Sequence, residues 1–125
     1  MGKTEAETFV QDWERAWRGR DGQAYADLLH DGCVLENPWS PVTRDELPAF
    51  VDAMLATMPD HRIAAVRWGE TSDGVIIEWH LTATLPGGPI DLRGADRFTL
   101  RDGKAVDGVA YCDPRQFNEL QAVAG

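Results

Sequence analysis

Three ionisable side chains stand where the sequence could do chemistry: Glu78, His80 and Asp96. Glu78 and His80 lie in the run IIEWHLTAT, Ile76 to Thr84, whose alternation predicts a strand. Successive strand side chains point to opposite faces. Ile76, Glu78, His80, Thr82 and Thr84 therefore share one face, and Ile77, Trp79, Leu81 and Ala83 share the other. An imidazole beside a carboxylate can give or take a proton near neutral pH, with the carboxylate orienting the ring. That face is either a wet outer surface, as antiparallel sheets often keep, or the wall of a pocket.

Asp96 belongs to the next strand, PIDLRGADRFTLR. Asp91, Arg93, Arg97, Thr99 and Arg101 form a solvated face, whereas Ile90, Leu92, Gly94, Asp96, Phe98 and Leu100 form the apolar one. A carboxyl among apolar neighbours must find partners or keep its proton, because desolvation disfavours its charge. Either Asp96 makes a structural hydrogen bond to a helix end or a backbone amide, or it stays partly protonated at neutral pH and donates to a ligand oxygen.

Rings and one amide could complete a binding surface. Trp13 and Trp17 lie one helical turn apart, and Trp39 follows Pro38. They are core, or they floor a cavity for a flat or greasy ligand. Asn37 either forms a turn or offers its amide to a ligand. Tyr111 either packs or places its hydroxyl in a cavity. His30 and His61 sit beside turns and read as solvated. Cys33 and Cys112 lack metal-ligand spacing and read as buried thiols. The sequence shows no Ser-His-Asp grouping, glycine-rich phosphate loop or metal motif, so neither cofactor nor metal is expected.

The elements that must position these groups follow from periodicity. Ala6, Phe9, Val10, Trp13, Ala16 and Trp17 make the apolar stripe of a first helix. A short second helix carries Tyr25, Leu28 and Leu29, and CVLENP reads as a strand stopped by Pro38. Leu47, Phe50, Val51, Met54 and Met58 form the buried stripe of a third helix. It is capped by the Thr43–Glu46 box or by Asp45, with Pro48 in its first turn. From His61 onward, turns at SDG, PGG and DGK join strands in series. A last short helix is capped by Asp113, with Pro114 at its first position. Helices first and meandering strands after predict an α+β fold in one domain, residues 1–125, with a ligand-sized concavity between the layers.

The chain has 12 Lys and Arg against 21 Asp and Glu, a net charge of −9. Nucleic acid and anionic membrane, which reward basic residues, are not expected partners. The first residues hold no apolar run of signal-peptide length, and a cytoplasmic location is expected.

FVQDWERAWRGRDGQAYADLLHDGCVLENPW and the later GADRFTLRDGKAVDGVAYCDP resemble the nuclear transport factor 2-like superfamily. The nearest group is the SnoaL-like polyketide cyclases, with ketosteroid isomerase and limonene epoxide hydrolase as relatives. The resemblance implies a cone: a strongly bent antiparallel sheet wrapped around three helices, with a deep pocket and often a homodimer. Aligned with ketosteroid isomerase, Asp96 matches the protonated aspartate that donates to the oxyanion, Asn37 falls on the general base and Trp13 on the catalytic tyrosine. Aligned with limonene epoxide hydrolase, Glu78 and His80 fall on pocket residues and Ala110 on the acid that cyclases also use. This register turns Glu78 and His80 into the pocket and leaves Trp79 and Leu81 for a partner subunit to cover. It implies an enzyme working by proton transfer on a small apolar molecule, with His80 as acid or base, Glu78 as orienter and Asp96 as donor. The alternative is a pocket that binds without catalysing, or a small dimeric interaction module.

Overall fold

A computed structural model describes residues 4–122. Helix α1 (Glu5–Arg18) starts at Thr4, whose Oγ1 accepts from the Glu7 amide at 3.0 Å. Its apolar stripe is buried along Phe9, Val10, Trp13 and Ala16. Helix α2 (Gly22–Ala26) is capped by Asp21. Strands β1 (Val34–Glu36) and β2 (Val42–Thr43) precede α3 (Leu47–Thr57). The Thr43–Glu46 box forms, with bonds of 3.0 and 3.3 Å, but it closes the turn ahead of α3 and does not cap it. Asp45 does not cap it either; α3 begins at Leu47 with Pro48 in its first turn, where a missing N–H costs nothing. Then come β3 (Arg62–Glu70), β4 (Gly74–Leu85), β5 (Gly88–Arg101) and β6 (Lys104–Cys112), and α4 (Arg115–Ala122) follows. Asp113 Oδ1 accepts the Arg115 amide at 3.0 Å, as a capping residue should.

The strands form one curved six-stranded sheet in the order β2-β1-β6-β5-β4-β3. All neighbours are antiparallel except β1 and β6, which run parallel. The edges β2 and β3 do not pair, so the sheet is an open cone wall and not a closed barrel. Phe9 of α1 packs on Phe98 of β5 at 4.8 Å between ring centroids, anchoring the helical layer to the inner sheet face. A second cluster, Met58, Ala83, Leu85 and Ile90, receives Phe117 and Leu120 of α4. Among the described residues, no helix is long and apolar enough to cross a membrane.

The alternation of β4 is as the sequence predicts, but the faces are assigned the other way round. Val75, Ile77, Trp79, Ala83 and Leu85 are buried inside this chain. Glu78 and His80 point outward. Trp79 and Leu81 therefore do not await a partner subunit; they already line the chain's own interior. Burying a large apolar face is the stronger drive, and a one-residue change of register inverts every side chain. Gly94 lies opposite Trp79 in the β4–β5 ladder. A Cβ there would meet the Trp79 indole at 2.5 Å, so the glycine supplies the room for that ring.

Candidate functional site

A cavity of 640 Å³ lies between the inner sheet face, α3, the β1–β2 loop and α4. Helix α3 contributes because it is apolar on two sides. Leu47 and Val51 enter the core, while Phe50, Ala53, Met54 and Thr57 line the cavity. Phe50, expected in the buried stripe, is 46% exposed as a result.

Asp96 is the buried carboxyl of this wall. Its Oδ1 accepts from Trp79 Nε1 at 2.9 Å, the one hydrogen bond its side chain makes among the described residues. Burial pushes the carboxyl up to about 7, against the pull of the Trp79 N–H, which favours the charged form. Asp96 is thus able to hold or release a proton near neutral pH. Tyr25 lies near it; burial, and then the Asp96 charge, raise the phenol well above its ordinary value. The Cys112 thiol is also raised, by burial first and then by Asp96 and Asp113.

His61 is the second buried polar residue of the wall, only 4% exposed. Its ring lies 5.4 Å from that of Trp17. Burial, followed by the Arg20 charge, lowers the imidazole to about 4, so it is neutral at physiological pH. Arg20, itself left-handed at φ 55°, clamps this segment by donating to the carbonyls of His61 and Pro59 at 2.8 Å each. His61 Nε2 and Trp17 Nε1 are buried without a hydrogen-bond partner among the described residues.

At the rim, Asn37 Oδ1 accepts from the amides of Trp39 and Ser40 at 2.9 Å, and Nδ2 donates to the Ser40 carbonyl at 2.7 Å. Its amide is committed to its own turn. Trp39 donates from Nε1 to Asn118 Oδ1 at 2.7 Å and packs its ring on Phe117 at 5.1 Å, tying the β1–β2 loop to α4.

Of the residues singled out from sequence, Asp96, Trp17, Asn37 and Trp39 line the cavity. Trp13 does not; it is wholly buried in the core, 6.3 Å from the Trp17 ring. Tyr111 is not in the cavity either; it is 52% exposed, and it raises the Arg97 guanidinium above its ordinary value. The expectation that Glu78 and His80 form a pair in the pocket is overturned. Each has taken a separate partner on the outer face: Glu78 bonds Arg67 Nε at 2.9 Å, and His80 Nε2 lies 2.8 Å from Asp91 Oδ1. His61, Tyr25 and Cys112 line the cavity and were not expected to. Tyr25 was legible as part of an apolar stripe. His61 carried no local signal, because its cover comes from Arg20 and Trp17, far away in the chain.

Chemically, the wall offers apolar surface, aromatic faces and one carboxyl able to exchange a proton near neutral pH. The family profile of the SnoaL-like domain matches residues 10–108. Among curated proteins none matches. Solved structures with the same fold include an NTF2-like protein of unknown function from Burkholderia pseudomallei (TM-score 0.83, 16% identity, 94% of this chain and 98% of that one). The BvnE pinacolase from Penicillium brevicompactum superposes with TM-score 0.78 at 16% identity, covering 99% and 97%. IdmH, a putative polyketide cyclase from Streptomyces antibioticus, gives 0.77 at 15% identity, covering 95% and 99%.

Proposed function

Starting from the chain's membership of the SnoaL-like domain family, we propose that the cavity binds one small, mostly apolar molecule and that Asp96 meets its polar end and shares a proton with it. The observation that carries this is the Asp96 carboxyl itself: buried in an apolar wall, singly bonded to Trp79 and balanced near neutral pH. A group in that state can act as acid or base without large cost. Cyclase and pinacolase activities among proteins of the same fold support an isomerase-, cyclase- or hydrolase-type proton transfer. A binding role without catalysis is supported by two observations: the Asn37 amide is consumed by its own turn, and the wall position of Ala110 carries no acid.

The test is a native mass spectrum of freshly purified protein. A retained small molecule is expected, lost in Asp96→Leu and kept in Asp96→Asn. Exchange of that molecule's acidic C–H with deuterated solvent, present in wild type and absent in Asp96→Asn, which keeps the molecule, separates catalysis from binding. We also propose a homodimer through the outer sheet face, where Ile76 and Tyr111 are exposed. Light scattering should find a dimer for wild type and a monomer for Ile76→Glu.

A further inference from the structure

We propose that the polar end of the ligand is an amine: the cavity takes a small apolar molecule whose ammonium pairs with the Asp96 carboxylate. The inference rests on the reading of the cavity as a small-molecule site and names the class of molecule it takes.

The first argument is charge. The chain has 12 Lys and Arg, yet none of those among the described residues lines the cavity. Among the described residues, the wall groups able to carry charge at neutral pH are all acidic: Glu36, Glu46 and Asp96. Tyr25, Cys112 and His61 are held neutral by burial. A carboxylate or phosphate ligand would leave water for a wall that, among the described residues, holds acids and no cation, and an unpaired buried charge is strongly disfavoured. A cation gains from the same arrangement, since a cleft lined by one sign of charge concentrates the opposite sign.

The second argument is geometry at Asp96. Trp79 Nε1 occupies Oδ1 and favours the ionised form, while Oδ2 makes no hydrogen bond among the described residues. An ammonium N–H can donate to Oδ2. Around this point the wall is aromatic. The Trp79 indole touches the carboxyl, Tyr25 lies near it, and the Trp17 ring is 5.5 Å from that of Tyr25. Ring faces attract a desolvated cation, so carboxylate and rings together replace its water shell. The apolar remainder of the ligand fills the space beside Phe50 and Met54.

The proton balance is simple. An aliphatic amine, with a pKa of ~10 like that of lysine, enters already protonated. Where Asp96 holds a proton, that proton leaves to solvent as the pair forms. The titratable groups facing Asp96 are Tyr25 of α2 and Cys112 of β6, and both stay neutral throughout.

Three probes with one skeleton test this by isothermal calorimetry: 1-naphthylmethylamine, 1-naphthalenemethanol and 1-naphthoic acid. At pH 7.5 the amine should bind at least about tenfold more tightly than the alcohol, with the acid weakest, as one ion pair more or less implies. Asp96→Asn keeps an oxygen for Trp79; it should weaken the amine far more than the alcohol and bring the two within about twofold of each other. In wild type at pH 6, amine binding should release close to one proton, read from heats in buffers of different ionisation enthalpy, and alcohol binding none. The proposal is overturned if the alcohol or the acid binds as tightly as the amine, if the amine's advantage survives Asp96→Asn, or if no proton is released. Alcohol binding without an amine advantage would overturn the amine and leave the small-molecule pocket standing. Failure of all three probes to bind would overturn both.

Discussion

The two faces of the β4–β5 hairpin use similar residues to opposite effect. Outside, His80 meets Asp91 and Glu78 meets Arg67, all within 2.9 Å, in water. Inside, Asp96 meets, among the described residues, only an indole N–H at the same distance, and its proton affinity is far from ordinary. The outer groups find charged partners and solvent, so their charges are cheap. The inner carboxyl has lost water and gained a single neutral donor. Proximity of an acid and an imidazole therefore marks no chemistry by itself; the loss of water around one acid does.

Breaking the inner face should have the largest effect. Trp79 fills the interior between Gly94 and Asp96 and supplies the only donor to that carboxyl among the described residues. Trp79→Ala should cost about 3–5 kcal/mol of stability by urea unfolding, through lost burial and the void left behind. A cost below about 1 kcal/mol would show the indole to be peripheral.

The second effect separates the buried acid from the buried base through pH. Asp96 is raised from 3.8 to about 7, so its contribution is fully present below pH 4 and is lost as pH rises through 7. His61 is lowered from 6.5 to about 4, so its contribution is present above pH 6.5 and is lost as pH falls through 4. Between pH 4 and 6.5 the two slopes oppose each other and largely cancel. Asp96→Asn removes one of them, and stability should then climb by a few kcal/mol, roughly, from pH 4 to 6.5. His61→Gln should give the mirror image, a fall across the same range. Urea midpoints measured across pH 4–8 for both variants decide it, and profiles parallel to wild type would show both groups to be solvated.

How much of this contrast was legible in sequence can be argued from the same residues. Strand alternation placed Asp96 on the apolar side of β5 and kept Glu78 with His80, and both groupings hold. Alternation says which residues share a face, but not which face is inside. Aligning β4 to a relative's pocket set that choice off by one residue, and the apolar face, taken for a subunit contact, proved to be the interior. Helix periodicity joined Trp13 to Trp17 correctly, but could not show that only Trp17 reaches the cavity. His61 was out of reach, since a histidine beside a turn is buried only if distant parts of the chain cover it.

A smaller change sharpens the link between backbone and site. Gly94→Ala would push a methyl group into the Trp79 ring and the Tyr111 carbonyl, each within 2.6 Å. The ring must move or the ladder must open, costing about 1–3 kcal/mol. Because Trp79 holds Asp96, the carboxyl's titration should shift as well, visible by NMR of its side-chain carbon. A destabilised variant with an unmoved Asp96 titration would mean that the indole holds its place and the strand yields instead.

The outer face should give the smallest effect. His80 and Asp91 sit 2.8 Å apart with side chains 33% and 68% exposed. In high dielectric such a pair gains little Coulomb energy, and ordering both side chains offsets part of that gain. A double-mutant cycle with His80→Ala and Asp91→Ala should therefore return a coupling of about 0.2–1 kcal/mol, falling as salt rises past the Debye regime. Neither variant should alter a ligand held in the cavity, because neither residue touches its wall. This is the sharpest control for the inner site: His80 is the residue whose chemistry looks most catalytic in sequence, and its removal should leave proton exchange on a bound molecule unchanged. Loss of that exchange in His80→Ala, with the fold intact, would return the chemistry to the outer face and displace Asp96 from its role.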